Sequence, residues 1–211
     1  MIDLNLHKWR RKFDHFVTQQ WVRLYYSLPL SGPDEYQLST GEEITVYRFS
    51  DDSPVFAQNT LFNTIILNED CLSDLSEEAR ELVIQHELGH NRRSPIFRGV
   101  WLGLLLSSAL ILYFILDLLL AGFSLEAMSS LGALLIVVSA SFVVANRVEE
   151  TMADLRAVHY LREDTFLEAY NEINSGGRSS YLDTALRTLF YTRSKTTVSL
   201  YRYLRVRGLF K

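Results

Sequence analysis

Two long, nearly uncharged stretches in the middle of the chain restrict its fold more than any other feature. Gly99 to Ala121 reads GVWLGLLLSSALILYFILDLLLA, 23 residues whose one charge is Asp117. As a helix it would span roughly 34 Å, enough to cross about 30 Å of hydrocarbon. Ala127 to Asn146 adds 20 residues with no charge at all. Neither stretch has the polar face of a surface helix. A buried helical pair in a water-soluble core is the competing reading, but two adjacent segments of this length favour a membrane hairpin. Asp117 falls in the last turn of the first span and reads as interfacial.

The flanks set an orientation. Arg92, Arg93 and Arg98 precede the first span, and Arg147, Arg156 and Arg162 follow the second. The loop between them, GFSLE, has neither Lys nor Arg. Positive residues stay inside, so the expectation is a two-span, multi-pass protein of the cell membrane with both termini in the cytoplasm. The opening residues, MIDLNLHKWRRKF, carry too much charge for the core of a signal peptide.

A chain of 211 residues leaves room, beside the hairpin, for one domain with a real core. A net charge of -4 argues against nucleic-acid binding through a basic surface. The single cysteine, Cys71, excludes an internal disulfide and a Cys-rich zinc module, and reads as a packed thiol.

The order of segments follows from periodicity and turn residues. Residues 1–30 hold an amphipathic helix over 2–28, with Ile2, Leu6, Trp9, Phe13, Phe16, Val17 and Leu24 on one stripe and Arg10, Arg11 and Lys12 off it. It could lie on the inner membrane surface or pack as an ordinary helix. SLPLSGPDEY, with Pro29, Gly32 and Pro33, ends it. Residues 31–93 would form the first part of the main domain. Strands are expected at Ile44–Phe49, Val55–Gln58 and Thr64–Leu67, then a capping box of Asp74 with Glu77 and a helix over 76–91. Residues 94–146 are the hairpin, with spans at about 99–121 and 127–146. Residues 147–211 would complete the domain: a helix over 147–161 continuing the second span, a loop at 174–180, and helices near 181–191 and 196–206. The last helix ends in a basic tail, Arg202, Arg205, Arg207 and Lys211, which reads as a solvated face or as suited to an anionic leaflet.

The chemistry lies in His86-Glu87-Leu88-Gly89-His90, an HExxH. Histidines at i and i+4 project from one helix face about 6 Å apart and can share one zinc ion. Glu87, turned about 100° away, can serve as general base toward a water on the metal. A catalytic zinc needs a third protein ligand and an open position. The hairpin goes out and comes back, so it returns Glu149-Glu150-Thr151-Met152-Ala153-Asp154 to the depth of His90. Glu150 can complete the site, and Asp154, one turn on, can accept a hydrogen bond from a ligand imidazole and fix its tautomer. Ala153 and Ala157 would let the two helices approach. Glu149 points elsewhere and reads as solvated. His7 and His15 have no carboxylate at ligand spacing.

HELGH, a basic stretch, a membrane hairpin and then E-x-x-A-D, together with the run SPVFAQNTLFNTIILNEDCLSDLSEEAREL upstream, resemble the HtpX-like and CAAX prenyl endopeptidase family of integral-membrane zinc metallopeptidases. The resemblance covers about residues 40–165. It implies an α+β, mainly helical, gluzincin-like zinc metallopeptidase domain with a small β-sheet, interrupted by the hairpin. It implies one zinc ion per chain on His86, His90 and Glu150, with Glu87 as catalytic base and Asp154 beside the ligands. It also implies a polypeptide substrate bound as an added strand at the edge formed near residues 55–67.

Two departures stand out. No span precedes the HExxH in this sequence, and the C-terminal part lacks the His-Pro pair frequent in the family. The donor to the developing oxyanion is therefore open among His159, Tyr160 and Arg193. The expected function is hydrolysis of peptide bonds by zinc-activated water in a membrane-bound metalloendopeptidase, active on the cytoplasmic side in membrane-protein quality control or processing. The alternatives are a catalytically weak zinc-binding sensor or adaptor of BlaR-like type, and a structural hairpin protein with an accidental HExxH.

Overall fold

A computed structural model describes residues 9, 12–13, 16–17, 20, 30–38, 40–41, 43–50, 55–59, 64–91, 95–122, 124–175 and 189–209. The expected helix over 2–28 lies mostly outside these residues; the few described within it are helical. The expected helix at 181–191 lies outside them except at its end.

Among the described residues these elements follow in order: β1 (Ser31–Gln37), β2 (Glu43–Phe49), β3 (Ala57–Asn59), β4 (Ile65–Asn68), α1 (Glu69–Ser73), α2 (Glu77–Asn91), α3 (Pro95–Ala121), α4 (Leu125–Leu161), α5 (Glu163–Ser175) and α6 (Ser194–Val206). The architecture is mainly helical with one small sheet, as expected. The chain divides into two compact units. The first comprises Met1–Arg92, Ala153–Arg178 and Ser194–Lys211, the second Arg93–Met152 and Ser179–Arg193.

In the first unit the sheet order is β1-β2-β4-β3, with β2 and β4 parallel and both outer pairs antiparallel. β4 reads IILN and is buried throughout, as a central strand with both faces covered must be. Ile65 and Leu67 face a core with Val83, Ile84 and Leu88 of α2, while Ile66 joins Tyr47 and Phe49 on the other face. A second core gathers Ala79 and Leu82 of α2, Leu155, Ala157 and Val158 of α4, Phe166 and Ala169 of α5, and Val198 and Tyr201 of α6.

Several local expectations change. β1 occupies SGPDEYQ, a segment that reads as a turn. It is an edge strand whose register shifts between Ser31 and Asp34, where an edge tolerates glycine and proline. The expected Val55–Gln58 strand forms two residues later, as Ala57–Asn59. The cap of α2 is not an Asp74–Glu77 box. Ser76 Oγ accepts the Ala79 N–H at 3.2 Å, and Glu172 of α5 accepts the Ser76 N–H at 2.7 Å and its hydroxyl at 2.6 Å. The reciprocal carboxylate thus comes from another helix. α5 itself has no sequence punctuation before it. α4 ends at Arg162 in the left-handed region (φ 71°), where glycine is usual and another residue is strained by about 1 kcal/mol.

In the second unit, α3 and the first part of α4 are the two apolar helices. Leu120 is 88% exposed and Ile136 72%, so neither is a buried core helix. They fit a membrane protein with two spans. Gly122 (φ 97°) closes α3 with its N–H on the Leu118 carbonyl, and Ser124 caps α4 by accepting the Ala127 N–H. Asp117 is exposed in the last turns of α3. The buried residues Leu104, Ile111 and Leu118 recur every seven positions, the spacing of a helix–helix seam. α4 is one unbroken helix of 37 residues, so the second span does continue through Leu161.

Candidate metal centre

α2 carries the HExxH on its last two turns, and its approach to α4 depends on one residue without a side chain. A Cβ at Gly89 would lie 2.6 Å from Ala153 Cα and 3.0 Å from Ala153 Cβ. Glycine against alanine therefore lets the two backbones meet, and Ala157 stays fully buried beside them. That closeness brings His86 to Asp154, with Nδ1 and Oδ1 2.8 Å apart. Both groups are withdrawn from water, at 15% and 3% side-chain exposure. With Nδ1–H donating to Asp154 Oδ1, the His86 Nε2 lone pair is left free to bind.

That lone pair converges with two other donors. His86 Nε2 and His90 Nε2 are 3.1 Å apart. Two nitrogens at Zn–N distances of about 2.0–2.1 Å on a tetrahedron would be separated by about 3.3 Å. Glu150 sits one turn before Asp154 on α4. Its carboxylate and the two imidazoles offer ligand atoms that all lie within 4.8 Å of one another. Asp154 Oδ2 is buried without a hydrogen-bond partner. A buried carboxylate with one donor calls for positive charge nearby, and a cation across the imidazole would supply it. The donor set of two imidazoles and one carboxylate suits zinc with one position left open. These residues fit the metal.

A model of peptidase family M48 matches residues 34–192. The chain belongs to peptidase family M48. No curated protein and no solved structure matches it. The M48 peptidases are zinc metallopeptidases, which agrees with the donor set. The match runs from β1 past α5 to Thr192, a longer stretch than the motifs alone delimit.

Other residues of this M48 chain fall in different places. Glu87 follows His86 on α2, half-buried. His159 and Tyr160 are turned about 140° and 120° from Asp154 around α4. His159 Nδ1 meets the Tyr201 hydroxyl at 3.2 Å, and the Arg156 guanidinium lies over the Tyr160 ring at 4.7 Å. Arg193 is exposed. Cys71 accepts a hydrogen bond from Asn68 Nδ2 at 3.3 Å, as a packed thiol would. Glu149 is not the solvated charge its helical direction suggested. It is 6% exposed and accepts a hydrogen bond from Trp101 Nε1. The face of α4 that turns away from Glu150 meets α3, and sequence spacing within α4 carries no sign of that partner.

Proposed function

We propose that this M48 peptidase is a membrane-anchored zinc metalloendopeptidase with its active site on the cytoplasmic side. The observation that carries the reading is the convergence of His86, His90 and Glu150, with Asp154 on the far nitrogen of His86. Zinc, when bound, would polarise the scissile carbonyl and lower the pKa of water toward neutrality. The chain's own residues do the rest. His86, His90 and Glu150 hold the ion. Asp154 keeps the Nδ1 proton in place, so His86 presents Nε2 throughout turnover. Glu87 Oε takes a proton from the attacking water and passes it to the leaving amine.

Substrate would bind extended. β3 is an edge of the sheet, directly before β4 and beside α2, and its outer side can accept a further strand. The exposed apolar helices would hold the enzyme in the bilayer, and the arginines flanking them favour a cytoplasmic domain by the positive-inside rule. Unfolded or mis-assembled membrane proteins are the substrate class this anchoring suits.

The test is cleavage of an unfolded protein by detergent-purified full chain with added zinc, beside Glu87→Gln. Cleavage by the wild type alone supports the mechanism. Equal cleavage by Glu87→Gln overturns Glu87 as the base. Stoichiometric zinc without turnover in either protein would favour a sensor or adaptor instead.

A further inference from the structure

Leu104, Ile111 and Leu118 are buried on α3 at seven-residue spacing, and one acid, Glu149, is buried on α4. Glu149 accepts the Trp101 indole N–H, and the same indole stands edge-on to Phe142, with ring centroids 5.4 Å apart and planes at 83°. Phe142 and Glu149 are seven residues apart and share one face of α4. A single side chain of α3 therefore grips α4 across two turns, one contact apolar and one polar. The apolar contact tolerates sliding. The hydrogen bond does not, because it weakens steeply with distance and angle.

We propose that Trp101 and Glu149 are positioning residues for Glu150. The inference rests on the zinc reading above. Glu149 is the immediate neighbour of Glu150 on a rigid helix, so fixing its direction fixes that of Glu150, about 100° round. The lever is long. A rotation of about 20° at a side-chain radius of about 6 Å moves a carboxylate by about 2 Å. A metal site tolerates about 0.5 Å. Packing alone gives no reason for an acid here, since an aliphatic residue would fill the seam without desolvating a charge. What the buried polar pair adds is a defined rotation and depth of α4 against α3.

The test uses full-length chain in detergent, loaded with zinc, and reads the zinc dissociation constant by chelator competition alongside thermal unfolding. Trp101→Phe keeps the ring and removes the N–H. Glu149→Leu keeps the volume and removes the acceptor. Glu149→Gln keeps an acceptor oxygen. The expected result is zinc held about tenfold or more weakly in Trp101→Phe and Glu149→Leu, with unfolding temperatures unchanged or raised, and recovery to within about threefold in Glu149→Gln. With a peptide substrate, kcat falls while KM stays. Wild-type zinc affinity in both Trp101→Phe and Glu149→Leu overturns the proposal and leaves the zinc reading intact. So does loss of zinc that only tracks loss of folding, or a Glu149→Gln that fails like Glu149→Leu. A wild-type chain that binds no zinc overturns the zinc reading itself and the role assigned to the pair with it.

Discussion

The two halves of α4 obey opposite rules. In its first half, apolar side chains point outward: Ile136 is 72% exposed, Val144 62%. In its second half the burial is inverted, with Leu155, Ala157 and Val158 at 0% and a charged group, Asp154, at 2%. The helix itself does not break between them. Its backbone hydrogen bonds are satisfied internally, so it can pass from one solvent to another without paying for exposed peptide groups. What changes is which side chains can stand outside. After Glu126 in the first turn, charges resume at Arg147 and Glu149, and from there on a small-residue face, Ala153 and Ala157, replaces the apolar exterior.

The sharpest way to break this comparison is to exchange the rules. Arg at position 136, on the exterior of the first half, is expected to cost about 2.5–3.5 kcal/mol of insertion into a bilayer. Membrane extraction and glycosylation mapping would read it as a lost or displaced span. Full insertion of Ile136→Arg, with unchanged topology, would argue that this exterior does not meet hydrocarbon. Next in size is Gly89→Ala. The added methyl meets backbone rather than the end of a flexible side chain, so α2 and α4 must separate. A loss of about 1–3 kcal/mol in stability is expected, together with zinc binding. A variant that kept both would show that α4 can yield at Ala153.

How much of this was legible before the structure differs by region, for physical reasons. The two apolar helices are legible because the length and composition that suit a bilayer stand in the chain itself. The meeting of His86, His90, Glu150 and Asp154 is legible because a hairpin fixes the return depth and a helix fixes the face. The sheet strands rich in β-branched and aromatic residues, such as EITVYRF, are legible too. The remainder depends on partners. β1 is a strand because β2 pairs with it, not because SGPDEYQ prefers to extend. α5 begins after an arginine in a conformation that usually announces itself with glycine. Glu149 looks exposed on a lone helix and is buried once Trp101 stands against it. Gly89 carries no role of its own in the HExxH pattern, and the structure alone shows Ala153 occupying the volume a side chain would need.

A smaller effect sharpens the account of the second half of α4. Asp154→Asn keeps the size of the side chain and can still accept a hydrogen bond from His86, but it removes the negative charge across the imidazole. Zinc affinity is expected to fall about 10- to 100-fold, while Asp154→Ala falls at least as far. Chelator competition measures both. An Asn variant with wild-type affinity would mean that orientation, not charge, is what Asp154 supplies.

The smallest predicted effect concerns the start of the HExxH helix, where the polar contact is open to water. Two hydrogen bonds from Ser76 hold the Glu172 carboxyl below its ordinary value of 4.5, the side-chain bond more than the backbone one. A carboxyl whose value is lower in the folded chain binds its proton less readily there than when unfolded. Its stabilisation is therefore complete above the unfolded value and disappears as pH falls through the lowered folded one. Glu172→Gln should accordingly reduce stability at neutral pH and converge with the wild type only once pH has fallen below the lowered folded value. Ser76→Ala removes the cap itself and should cost about 1 kcal/mol near neutrality. Denaturant unfolding of the wild type and both variants across this range measures the difference. A gap between Glu172→Gln and wild type that persists unchanged in acid would assign the effect to packing between α2 and α5. Because Ser76 lies ten residues before His86, zinc affinity should stay near wild type in both variants, in contrast to Gly89→Ala at the other end of the same helix.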